Sequence, residues 1–408
     1  MGSTSNQAYT VMLTGSTGSL GSYLLDNLVQ NQCIDKIFCL NRSESGRDKQ
    51  HQDSASRSLP TEWDQDRVVF LQADLSKPKF GLEGKAYQEL LGRVTHIIHN
   101  QWPVNFNWAI SSFEPMIRGV RNLLDFCLAA SPTHVIEFLF VSTIGTVSQV
   151  KEPVPVPERA NHELVAELGG YNGSKLIAEL IIDEHVRQHP GQRAVVCRLG
   201  QVAGPVLRES GMWNKQEWIP SVIASSKQLG LLPADLGIMS SLSWIPVDVA
   251  SMVITDIALS ETPHEPSPSL CPGSSTDSHA TFYHASNPHA VKWSELVLTI
   301  GENLGIQKEK IVPWDTWVET LRRSESDFTP GFDQSRNNGT VPGEEIGIVG
   351  LKLVDFYESL RDDSSQSQAT TIMPTVETKR CANISSTLAS LKPVGPTWME
   401  LWLRQWAL

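Results

Sequence analysis

The stretch Thr10-Val11-Met12-Leu13-Thr14-Gly15-Ser16-Thr17-Gly18-Ser19-Leu20-Gly21 decides the fold. Its opening is β-branched and apolar and reads as a short buried strand. Three glycines in GxxGxxG spacing follow, and then Leu20, Leu24, Leu25, Leu28 and Val29 recur at helical spacing. Strand, glycine turn and amphipathic helix, in that order, open a doubly wound α/β sheet that binds a dinucleotide. Gly15 permits the tight turn, Gly18 lets a pyrophosphate approach the backbone, and Gly21 lets helix and strand close up. Backbone N–H groups around Thr17, Ser19 and Leu20, at the positive end of the helix dipole, are expected to meet the phosphates.

The same rhythm continues outward. Lys36–Leu40, Val68–Gln72, His96–His99, Glu137–Val141 and Ala194–Arg198 read as further strands, with helical patterns such as Ile117, Val120, Leu124, Cys127, Leu128 between them. The expectation is a Rossmann-type parallel sheet with right-handed crossovers, in a domain spanning about residues 1–205. Beyond it the βα rhythm gives way to Trp-rich, mostly helical sequence. Residues 206–408 therefore read as a smaller C-terminal substrate domain, with about 240–260 returning to the first. The tryptophans there read as core. Ser43–Asp66 reads as a polar insertion, Pro263–Ala280 as a mobile loop, and Ser324–Glu345 and Arg361–Glu377 as further polar stretches.

Composition narrows the function. The chain has 408 residues, 33 Lys plus Arg against 45 Asp plus Glu, a net charge of −12 and 40% hydrophobic residues. That is a large core without the basic footprint of a nucleic-acid binder, and its charge is repelled by an anionic membrane. No uncharged apolar run approaches the ~18 residues needed to cross a bilayer, and Met1–Asn6 lacks the apolar stretch of a secretory leader. The six cysteines form no CxxC pair, so reduced thiols in a cytoplasmic protein are expected. His279, His284 and His289 lack the spacing of a zinc site, and no metal is expected.

After the second strand comes Leu40-Asn41-Arg42. An NAD site places a carboxylate there for the ribose; neutral Asn41 followed by Arg42 suits the 2′-phosphate of NADPH instead. Asp74, ending the third strand, is placed to meet the adenine edge or to cap its own loop. Tyr171-Asn172-Gly173-Ser174-Lys175 puts a phenol and an ammonium on one helix face. A lysine there is expected to lower the Tyr171 pKa and let it give a proton to a carbonyl as hydride arrives at carbon. The hydroxyls of Ser142 and Thr143 end the fifth strand, where parallel sheets place ligands.

These motifs resemble the extended short-chain dehydrogenase/reductases. His99-Asn100-Gln101-Trp102-Pro103-Val104-Asn105-Phe106-Asn107, Arg198-Leu199-Gly200-Gln201-Val202-Ala203-Gly204-Pro205 and Trp244-Ile245-Pro246-Val247-Asp248 resemble, more narrowly, the carrier-protein thioester reductase domains. Such domains end fungal nonribosomal-peptide-synthetase-like and adenylate-forming reductases, with relatives among carboxylic acid and aminoadipate reductases. The resemblance runs over about residues 10–320. It implies Thr143, Tyr171 and Lys175 as the catalytic set, with Lys175 also holding the nicotinamide ribose. Leu75, Asn100 and Val202 would join the cofactor site, and Gln101, Trp102, Thr143 and Gln201 the substrate site. Gln101 stands where alanine is usual, and Gly173 interrupts the helix between Tyr171 and Lys175. The resemblance also implies an acyl group delivered as a thioester on the phosphopantetheine arm of a carrier protein, the C-terminal region covering that arm, NADPH as reductant, an aldehyde or alcohol product, and a monomer. Still open are an extended-type dehydrogenase acting on a free carbonyl or sugar nucleotide, a membrane-bound fatty acyl-CoA reductase and a non-catalytic NADPH-binding regulator.

Overall fold

Seven strands pair in parallel as β1 (Tyr9–Thr14), β2 (Ile34–Asn41), β3 (Val68–Gln72), β4 (His96–His99), β5 (Glu137–Thr143), β6 (Arg193–Leu199) and β7 (Thr281–Ala285), in the order 7-6-5-4-1-2-3. The computed structural model describes residues 8–150, 154–162, 168–262, 264, 279–327, 348–361 and 374–408. The helices that flank the first six strands are α1 (Ser19–Gln30), α2 (Gly46–Ser56), α3 (Gly84–Arg93), α4 (Glu114–Ala130) and α5 (Gly169–Gln188). Beyond β6 come α6 (Trp218–Leu229) and α7 (Val247–Ala258). Met12, Phe38, Ile97, Phe140 and Val196, from five adjacent strands, share one core with Leu90, Val120, Leu124 and Ile182 of α3, α4 and α5. The strand order reverses between β1 and β4, the crevice where open α/β sheets bind ligands.

The chain divides into two compact units: residues 1–211, 243–288 and 373–392, and residues 212–242, 289–372 and 393–408. The first takes back more of the late sequence than 240–260. Glu158 explains part of this, since its carboxylate accepts the backbone N–H groups of His284, Arg380 and Cys381. The Ser385 hydroxyl likewise donates to Asp256 at 2.6 Å, and Asn27 of α1 donates to Ser251 of α7 at 2.7 Å. In the second unit Trp213, Trp293, Trp314, Trp317, Trp402 and Trp406 are core, as expected, while Trp218 and Trp398 are half-buried, and several of the buried indole N–H groups find partners. Trp406 donates to Trp213 O at 2.8 Å, Trp317 to the Ser226 hydroxyl at 3.0 Å and Trp314 to Tyr357 O at 3.1 Å.

Two sequence expectations need correction. The polar run Ser43–Asp66 contains a helix, α2, whose buried face is Gly46, Gln50 and Ser54; Gln50 Nε2 donates to the Ser22 and Ser54 hydroxyls. β7 was not expected at all and adds the seventh strand beside β6. Nearly all of Pro263–Ala280, and much of Ser324–Glu345 and Arg361–Glu377, lie outside the described residues. Among the described residues no helix is long and apolar enough to cross a membrane.

Candidate active site

The glycine turn after β1 is tight enough to need its glycines. Gly15 has φ +74°, and a Cβ there would lie 2.9 Å from the Gln101 backbone. A Cβ on Gly21 would lie 1.9 Å from the Gly15 carbonyl oxygen, so α1 approaches β1 only without one. No side chain caps the first turn of α1, which leaves the N–H groups beyond Gly18, next to Thr17, Ser19 and Leu20, as uncapped donors. Glycines that admit a close approach, with free donors at a helix N-terminus, fit a pyrophosphate. Just after β4, Asn100 Nδ2 donates to Gly15 O at 3.3 Å, and Gln101 N–H donates to Thr14 Oγ1 at 3.2 Å.

Around this cradle the remaining candidates divide. Arg42 is exposed at the end of β2 and makes no ion pair among the described residues. Asn41 is buried, with Nδ2 donating to Cys39 O and Oδ1 accepting from the Ser16 hydroxyl, so its side chain braces the glycine turn. Asp74 caps its own loop: its carboxylate accepts from Ser76 N–H at 3.1 Å and Ser76 Oγ at 2.6 Å. The Ser76 hydrogen bond, ahead of the nearby Lys77, holds that carboxyl below its usual range. Leu75 is buried, its carbonyl held by Asn122 Nδ2 at 2.7 Å. Val202 pairs in parallel with Ile245, and Gln201 Nε2 donates to Val202 O.

The reacting side chains come from β5 and α5. Thr143 ends β5, and its Oγ1 accepts from Gly145 N–H at 3.1 Å, leaving the hydroxyl hydrogen free to donate. Ser142 faces the other side of the strand and donates to Glu179 at 2.5 Å. A Cβ on Gly145 would lie 2.3 Å from the Asn172 side chain, so the Thr143 turn lies directly against the first turn of α5, which carries Tyr171. Lys175, one turn on, is buried; its Nζ donates to Val141 O at 2.6 Å and lies 4.5 Å from the ring centres of both Trp102 and Phe140. Trp102 is thus packed beneath the lysine, with its Nε1 donating to the Ser174 hydroxyl at 3.3 Å.

The expected electrostatics of the Tyr/Lys pair are reversed. Burial, with Phe106 at 5.2 Å and Phe113 at 6.3 Å from its ring, pushes the Tyr171 phenol up to about 12. Burial also pushes Lys175 down to about 7, against the opposing pull of Glu179. In this state the phenol is a proton donor that stays protonated, and the lysine is the group that titrates near neutrality.

Two features went unread in the sequence. The first is the loop after β4, which leaves Val104 69%, Phe106 65%, Trp108 40% and Ile110 45% exposed and sets the Phe106 ring 5.2 Å from that of Tyr171, an exposed apolar ring next to the phenol. It also explains the glycines of α5: a Cβ on Gly170 would lie 1.9 Å from Trp108 O, and one on Gly173 3.1 Å from Ile110 Cδ1. The second is a buried Glu179–Arg198 pair, whose signal was an acid one turn after Lys175 and a charge inside an apolar strand.

A parallel sheet with a glycine turn at its switch point defines a dinucleotide-binding protein of the Rossmann class. The family described as NAD_binding_4, Male sterility protein, matches residues 13–254, and the chain belongs to it. It is 37% identical over 98% of its length to a carboxylic acid reductase of Neurospora crassa, and 32% identical over 97% to the non-reducing polyketide synthase dbaI of Emericella nidulans. It spans only 35% and 14% of those proteins. The terminal R domain of the myxalamid PKS-NRPS pathway shares the fold, with a TM-score of 0.75 at 23% identity, over 98% of this chain and 91% of that one.

Proposed function

We propose that this chain is an NADPH-dependent reductase that releases an acyl group from the phosphopantetheine arm of a carrier protein as an aldehyde, acting as a monomer. The observation that carries the reading is the meeting of Thr143, Tyr171 and Lys175 at the end of the sheet that holds the glycine turn. The likeness to a carboxylic acid reductase and a polyketide synthase supports it. NADPH held at the turn supplies the hydride. The Thr143 hydroxyl donates to the thioester carbonyl oxygen, where negative charge develops. Tyr171 stands ready to give that oxygen a proton, and Lys175 is available to hold ribose hydroxyls. Collapse of the resulting hemithioacetal expels the carrier thiol, so thioester, NADPH and one proton give aldehyde, thiol and NADP⁺. The exposed apolar side chains at 104–110 give the acyl group a surface beside Tyr171.

The test mixes the protein, NADPH and either a free acid or its pantetheine thioester. Aldehyde should form with matching loss of NADPH from the thioester alone, because a free carboxylate is negatively charged and has no leaving group. Aldehyde from the free acid without ATP, or turnover confined to a free ketone or sugar nucleotide, overturns the reading. The cofactor preference has its own test. Only NADPH carries the 2′-phosphate that exposed Arg42 could pair. Arg42→Ala should therefore weaken NADPH by ~10–150-fold, the worth of a charge-assisted contact of ~1.5–3 kcal/mol, and leave NADH nearly unchanged. Equal weakening of both in a fluorescence titration removes Arg42 as the discriminator.

A further inference from the structure

A buried ion pair that this chemistry does not use lies directly behind the site. Glu179 of α5 is 1% exposed and Arg198 of β6 0%, with Nη2 and Oε2 2.6 Å apart. The same carboxylate accepts from Ser142 Oγ at 2.5 Å and Thr146 Oγ1 at 3.0 Å, the residues on either side of the Thr143 turn. The Thr146 hydroxyl is also 2.9 Å from Thr143 O. Glu179 follows Lys175 by one helical turn, on the same buried face of α5. Arg198 is itself fixed: it donates to Arg159 O at 2.9 Å and to His284 Nε2 at 3.2 Å, and its guanidinium stands 4.8 Å from the Phe282 ring centre. Accepting at Nε2, His284 carries its proton on Nδ1, which donates to Glu377 O at 2.8 Å. Burial and the neighbouring Arg198 push His284 down to about 3, so it remains neutral.

We propose that Glu179, fixed by Arg198, is the positioning residue of this site: one carboxylate sets the turn that carries Thr143 and supplies the negative charge that faces Lys175. The thioester-reductase reading enters only where turnover is measured. Lys175 faces Tyr171 and Glu179 from its own helix, His99 from β4, Val141 O and Phe140 from β5, and Trp102 from the following loop. Burial, with Lys175 nearby, pushes His99 down to about 3, and Tyr171 stays protonated up to about 12, so both are neutral near pH 7. Arg198 stands behind Glu179. The carboxylate is therefore the formal charge that favours an ammonium at Lys175, against burial that favours the amine. Taking the carboxylate away should move the titration of Lys175 downward, a change that a purely structural role does not produce.

The experiment titrates the full chain labelled with ¹³Cε-lysine, without substrate, and assigns the Lys175 signal with Lys175→Met. Wild type should titrate near pH 7, the value to which burial brings Lys175. Glu179→Gln should titrate about one pH unit lower or more. Ser142→Ala, which removes one bond to Glu179 and no charge, should titrate where wild type does. Should Glu179→Gln fail to fold, the paired change Glu179→Gln with Arg198→Gln, neutral amides at both positions, is measured instead and should show a smaller downward move, because the guanidinium that repels an ammonium is lost along with the carboxylate that attracts it. At pH 7, Glu179→Gln should also lose roughly 10–100-fold in kcat through misplacement of Thr143, and Ser142→Ala only a few-fold. An unchanged Lys175 midpoint in the charge-removing variant overturns the proposal. A wild type inactive on every thioester tried overturns the functional reading and leaves the midpoint to decide this one.

Discussion

Replacing Tyr171 by phenylalanine should cut kcat by ~10²–10⁴-fold while NADPH binds as before, the usual loss when one acid–base group is removed. The structure makes this a clean substitution. The Tyr171 oxygen makes no hydrogen bond among the described residues, and its ring sits between Phe106 and Phe113, where phenylalanine packs equally well. Stability should therefore change little, and the lost activity reports the missing proton. With the phenol pushed up to about 12, wild-type Tyr171 is protonated throughout the working range, so a fall in rate on the alkaline side reports Lys175, which burial brings to about 7. Steady-state rates with a pantetheine thioester, together with an NADPH titration, check the prediction. A kcat within a few-fold of wild type would take Tyr171 out of the mechanism.

What the sequence made legible was what local rules write strongly. The glycine turn, the six leading strands and the helical stripes follow from φ requirements and apolar period, and β3 and β4 begin and end where the pattern places them. α2 was illegible because its buried face is Gly46, Gln50 and Ser54: the period of four is present, but written in polar residues. β7 was illegible because all five of its residues are buried, so there is no alternation to read, and one of them is a histidine whose burial is explained only by distant partners, Arg198 and Glu377 O. At the site the hydroxyls and the Tyr/Lys pair could be named from their order along the chain. Their electrostatics could not, because the burial that lifts Tyr171 and lowers Lys175 depends on residues distant in sequence, such as Phe113 beside the phenol ring and Trp102 and Phe140 beside the ammonium. Asp74 shows the same limit: its type fits a cofactor contact or a loop cap, and only the structure shows that its carboxylate accepts from Ser76 N–H and Oγ.

Arg198→Met should destabilise the first unit by ~3–5 kcal/mol, the cost of leaving a buried charge without its partner. Glu179 would keep the Ser142 and Thr146 hydroxyls but lose the three hydrogen bonds from Arg198 Nε and Nη2, at a site where neither side chain meets water. Two further acceptors, Arg159 O and His284 Nε2, would lose their donor as well. A loss of that size should lower the melting transition of this unit by about 10 °C. The companion variant separates stability from function. Replacing both charges, Arg198→Met with Glu179→Leu, removes the unpaired carboxylate and fills the space with apolar atoms, an exchange that is often neutral or stabilising. It should recover more than half of the lost stability but none of the turnover, because the Thr143 turn and Lys175 still lack the carboxylate that organises them. Differential scanning calorimetry and thioester assays on the two variants decide the matter. A single variant that melts with wild type would show that the pair contributes nothing to stability. A double variant that regains turnover would show that hydrophobic packing alone can hold the Thr143 turn.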